Sequence, residues 1–139
     1  MAVELSGLVA LQFGGETGAV GTTPVDLSPG GNSAAPTTAP LTVPMPQDGA
    51  VRGISLKLET GVAGAKTAKV AATIGGTEGD AEIDLIAAQT EAYARFDKNV
   101  MPFAKGDELG ASLLGGAADS IATQEAAITL FVQFGKSEI

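Results

Sequence analysis

Val51-Arg52-Gly53-Ile54-Ser55-Leu56-Lys57-Leu58-Glu59 is the stretch on which the fold turns. Ile54, Leu56 and Leu58 share one face and Ser55, Lys57 and Glu59 the other, the period of two of a half-buried strand. The preceding Pro46-Gln47-Asp48-Gly49 has the composition of a tight turn, because Asp can bond its own backbone and Gly is free to take positive φ. Downstream, Ala68 to Ile74 sets Val70, Ala72 and Ile74 in phase, and Gly75-Gly76 after it is a natural hairpin turn. The last run, Ala126 to Phe134, places Ile128, Leu130, Val132 and Phe134 on one face and stops at Gly135. Ala81 to Phe96 fits two periods: Ile83, Ile86, Ala87, Thr90 and Ala94 make a helical face, whereas Ile83, Leu85 and Ala87 make a strand face. Nineteen Gly and seven Pro mark short, turn-bounded elements along the chain, which favours two strands there. Phe103-Ala104-Lys105-Gly106-Asp107-Glu108-Leu109 turns at Gly106 into a further strand, Leu109 to Leu114, and Gly115 to Ser120 is a loop. Elements of this kind belong to an all-β sandwich or barrel.

Working back toward the start, Arg52 is the first Lys or Arg of the 139 residues, and all eight basic residues follow from there. Residues 22–46 carry Pro24, Pro29, Pro36, Pro40, Pro44 and Pro46 among small residues, too little apolar surface to offset the entropy of packing. The chain thus divides into an N-terminal arm, 1–21, a Pro/Thr/Ala-rich linker, 22–46, and a β-sandwich domain, 47–139. Within the arm, Gly7-Leu8-Val9-Ala10-Leu11-Gln12-Phe13-Gly14 is an apolar run that must be buried against something. It can be an edge strand of its own domain or an arm that docks on a neighbour. In the second case Leu8, Val9, Leu11 and Phe13 are the anchors.

The residues that usually do chemistry are scarce. There is no His, the commonest general base and transition-metal ligand, and no Cys for thiol chemistry, disulfides or zinc. Sixteen Asp and Glu stand against eight Lys and Arg, so the basic footprint of a nucleic-acid binder is missing. The apolar run Leu8 to Leu11 is too short for a signal sequence or a membrane span, which predicts an intracellular product with no membrane partner. One Tyr, five Phe and no Trp leave little for an aromatic platform that stacks sugars or bases. The carboxylates Glu78, Asp80, Glu82 and Asp84 form the densest set of hard oxygen ligands, yet their spacing is not that of an EF-hand and a solvated strand face explains them. Gly14-Gly15, Gly30-Gly31, Gly75-Gly76 and Gly115-Gly116 lack the Lys-Ser or Lys-Thr of a phosphate loop and read as turns. Tyr93, Arg95 and Phe96 read as a strand with ordinary cross-strand contacts. No catalytic residue, cofactor-binding residue, cofactor or metal ligand is assigned.

A flexible N-terminal segment, then Asp48-Gly49-Ala50-Val51-Arg52-Gly53-Ile54-Ser55-Leu56, then the Phe103 to Leu109 turn and a closing apolar strand, resembles the small jelly-roll proteins that decorate tailed-phage heads. The resemblance covers roughly Pro46 to Gly135. It implies a jelly-roll-like β-sandwich that forms a homotrimer on the exterior of the virion, made in the host cytoplasm, with the N-terminal arm contacting the major capsid protein. The segment Ala81 to Ala94 is less strand-like than that pattern. The alternative is a ligand-binding sandwich, a carbohydrate-binding or adhesin-like module.

Overall fold

Eleven strands and no helix make up the described part of the computed structural model, residues 8–29 and 42–135. In chain order they are β1 (Val9–Glu16), β2 (Val25–Asp26), β3 (Ser28–Pro29), β4 (Val43–Pro44), β5 (Gly49–Leu58), β6 (Ala68–Ile74), β7 (Thr77–Leu85), β8 (Glu91–Arg95), β9 (Pro102–Phe103), β10 (Glu108–Gly115) and β11 (Glu125–Phe134). They pair antiparallel into two sheets. The first runs β3-β1-β11-β5-β8, with β9 also on β5; the second runs β2-β10-β6-β7, with β4 also on β10. The sheets pack face to face as a β-sandwich. From β5 onward the chain crosses between sheets at nearly every connection, and only β6 and β7 form a hairpin within one sheet. Gly75 and Gly76 take φ of 61° and 85°, the positive values that a two-residue hairpin turn needs.

The core is made by the alternation read above. Ile54, Leu56 and Leu58 of β5, Ile128, Leu130 and Val132 of β11, Val70 and Ala72 of β6, and Leu109 and Leu113 of β10 meet between the sheets. A bulge between Phe131 and Val132 pairs Phe131 with Gly53 and Val132 with Val51, which leaves Arg52 over. The extra residue resets the phase, so Val51 and Ile54 both point inward despite odd spacing. Arg52 uses its displaced position to donate from Nε to the Phe96 carbonyl at 2.9 Å and from Nη1 to Gln133 Oε1. The Ala81 to Phe96 region resolves as strand: β7 ends at Leu85, β8 begins at Glu91, and the residues between them turn the chain from one sheet to the other.

The division into arm, linker and domain is corrected. β1 pairs with β11 from Val9 to Glu16, and the pairing continues beyond it through Thr17 N to Gln124 O, 2.8 Å, and the bridge of Val20 with Ile121. The described part of 1–21 is therefore built into the sandwich, for the physical reason that Phe13 and Val20 find their apolar partners there. The described ends of 22–46 contribute as well. Leu27 turns the chain from β2 in one sheet to β3 in the other and is buried with Met45 in the core. Gly30-Gly31 and the middle of the Pro-rich stretch lie outside the described residues. Gly14 and Gly15 are corrected from a turn to the interior of β1, opposite Ala127 and Ala126.

Candidate functional site

One side of β1 is filled along its whole length by β11, in register Val9 with Val132, Leu11 with Leu130 and Phe13 with Ile128. On the other side β3 reaches only Phe13 and Gly14. Among the described residues, the backbone of Val9, Ala10, Leu11 and Gln12 thus presents a free strand edge. None of the four is charged and none is proline, the devices that usually blunt such an edge. The other outer strands have them. β8 carries Glu91 and Arg95, β3 ends in Pro29, and β7 carries four carboxylates and a register shift opposite Ala71 to Thr73.

Leu8 and Val9, at the tip of this edge, are 55% and 42% exposed. Leu11 is half-buried against the core and Phe13 is 1% exposed inside it. Of the four anchors expected from the sequence, two remain on the surface, and Phe13 is corrected to a core residue: its ring fills the sandwich and cannot also meet a partner.

The outer face of the first sheet adjoins this edge. Phe131 on β11 and Tyr93 on β8 meet edge to face, with ring centroids 6.4 Å apart, and Tyr93 is 59% exposed. Beside them lies a shallow trough of about 540 Å³ lined by Ser55, Lys57, Glu91, Tyr93 and Thr129. Lys57 donates to Glu91 at 2.6 Å across its margin, and this hydrogen bond lowers the pKa of the Glu91 carboxyl. Arg95 shares the face of Tyr93, two residues along β8, while Phe96 packs on the core, so the three do not form one cluster. Phe131 is masked in the sequence by the in-phase set Ile128, Leu130, Val132; its signal is the unbroken Leu130-Phe131-Val132, which puts one large apolar residue on the outer face.

Glu78, Glu82 and Asp84 lie on the outer face of the second sheet, where Glu82 and Asp84 are exposed and Glu78 half-buried. Among the described residues no three acidic side chains come together so as to hold a metal ion. No family model matches the chain, and no curated protein matches it.

Proposed function

We propose that the chain is a non-enzymatic structural protein of a tailed bacteriophage, carried as a homotrimer on the outside of the capsid and attached to the major capsid protein. The edge of β1 from Val9 to Gln12, open among the described residues, carries the proposal. An undefended edge accepts a partner's strand through main-chain hydrogen bonds, and Leu8 and Val9 beside it add apolar contact. Attachment of this kind needs no reactive group, and in a trimer three such contacts act together. The order of strands, β1-β11-β5-β8 against β2-β10-β6-β7, supports the jelly-roll form of the sandwich.

The test is co-sedimentation with emptied heads of the phage that carries the gene. The parent chain is expected to travel with the heads. A chain with Leu8→Asp and Val9→Asp is expected to stay in the supernatant with its thermal unfolding unchanged. Full occupancy by that double variant would sink the edge as the attachment point. A second reading, a ligand-binding module, has the Tyr93 trough in its favour. It expects saturable quenching of Tyr93 fluorescence by an oligosaccharide panel, and a flat response across the panel would remove it.

A further inference from the structure

Three buried polar atoms of the second sheet have no hydrogen-bond partner: Thr73 Oγ1, Ser112 Oγ and Glu78 Oε2. Strand alternation explains why they gather. Val70, Ala72, Leu109, Ala111 and Leu113 belong to the core, so Thr73 on β6 and Ser112 on β10 face the opposite way. Across that outer face Ser112 sits opposite Ala71 on one side and Asp26 on the other, and Thr73 lies between Gly110 and Glu78. The floor of the strip is thus Ala71 and Gly110, residues with almost no side chain, and polar groups rise from its margins. Thr73 and Ser112 are each 1% exposed although they face away from the core.

The charge of the strip narrows what would suit it. Asp26, Glu78 and Glu82 set three carboxylates against one ammonium, that of Lys69, which sits 3.1 Å from Glu82 Oε1 and 3.4 Å from Glu78 Oε1. The second oxygen of Glu78 is left without a donor. Burial, and after it the charge of Glu78, raises the pKa of Asp26. A carboxylate oxygen only accepts, whereas the two hydroxyls can accept or donate. A group that would satisfy all three atoms at once is a hydrogen-bond donor, and a positive one suits the carboxylate. A metal ion would need several hard ligands converging on one point, and among the described residues no three acidic side chains do so. A flat guanidinium presents five N–H groups in a fork, which matches acceptors carried on neighbouring strands.

We propose that the outer face of the β2-β10-β6-β7 sheet binds a guanidinium group, the head of an arginine side chain presented by a protein partner, through Glu78 Oε2, Thr73 Oγ1 and Ser112 Oγ. The site is separate from the β1 edge and stands whether or not that edge meets a capsid.

The full chain, isotope-labelled for NMR, is titrated with N-acetyl-L-arginine methylamide, with its neutral citrulline counterpart, and with calcium chloride. Saturable shifts at the amides of Thr73, Glu78 and Ser112 are expected with the arginine compound alone. Glu78→Gln is expected to weaken the binding about tenfold, the loss of one charge-assisted hydrogen bond. Ser112→Ala and Thr73→Val should also weaken it while leaving the melting temperature unchanged or higher, because each removes a hydroxyl that has no partner in the free protein. Equal response to the citrulline compound, response to calcium alone, or no saturable shift with any of the three would overturn the proposal, and so would a Glu78→Gln chain that binds as the parent does.

Discussion

At the scale of single residues, Phe13 separates two accounts of the first segment. As a docking anchor its removal would leave the free protein untouched. Buried in the sandwich opposite Ile128, it should instead cost about 3–5 kcal/mol on Phe13→Ala, a large part of the stability of a domain this size. Urea unfolding followed by far-UV circular dichroism measures the difference. Leu8→Asp in the same assay should stay within about 0.5 kcal/mol, since its site is exposed. A Phe13→Ala chain as stable as its parent would put the residue back on the surface. The sequence could not decide between these accounts, because Leu11 and Phe13 alternate in the same way in an edge strand and in an arm. The deciding partner, Ile128, stands at the far end of the chain and no local pattern points to it. By contrast Ile54, Leu56 and Leu58 were legible, since both their alternation and the turn before them are local.

Three or more apolar residues in a period of two made β5, β6, β10 and β11 legible, whereas Gly14-Gly15 hid the second half of β1. Gly-Gly usually marks a turn, yet Gly14 and Gly15 continue β1. Gly15 has a φ of 116°, which only glycine takes without strain, and the pairing with β11 runs through both glycines with no shift of register. The described ends of the Pro-rich stretch misled for a related reason. Composition averages over a segment, and the single residues Leu27 and Met45 that reach the core vanish in the average. How the elements are tied is a matter of polar side chains as well. Gln124, buried just before β11, accepts at Oε1 from Thr60 N (2.8 Å) and Gly61 N (2.9 Å). Its Nε2 donates to Gly61 O (3.1 Å) and Ala122 O (2.9 Å), and its main chain bonds Thr17. One residue thus joins the exits of β1 and β5 to the entry of β11, the first through its main chain and the second through its side-chain amide. Gln124→Leu keeps the volume but strands buried donors and acceptors, and is expected to destabilise by about 3 kcal/mol in the same unfolding assay. A loss under about 0.5 kcal/mol would mean that water replaces the amide without difficulty.

For the molecule as a whole, the sandwich begins at β1, well before the Pro-rich stretch ends. A chain cut to start at residue 47 lacks Phe13, Val20, Leu27 and Met45 from its core and the whole strand that covers one side of β11. Such a chain is expected to show no cooperative thermal transition, and a sharp transition near that of the parent would return β1 to the role of a detachable arm. The all-β class was legible because most strands carry their own pattern, but which strand edge is left open was not, since that depends on how distant strands pair. That edge emerges only once β1, β3 and β11 are placed together. The position of β11 bears on how the protein comes to be folded at all. It is the last strand of the described chain, and it lies between β1 and β5. The two strands that flank it are synthesised long before it and cannot be joined into one sheet until it leaves the ribosome. The first sheet therefore closes late and through contacts between distant parts of the chain, which slows folding and keeps apolar strand faces uncovered in the nascent protein, where chaperones are the natural protection.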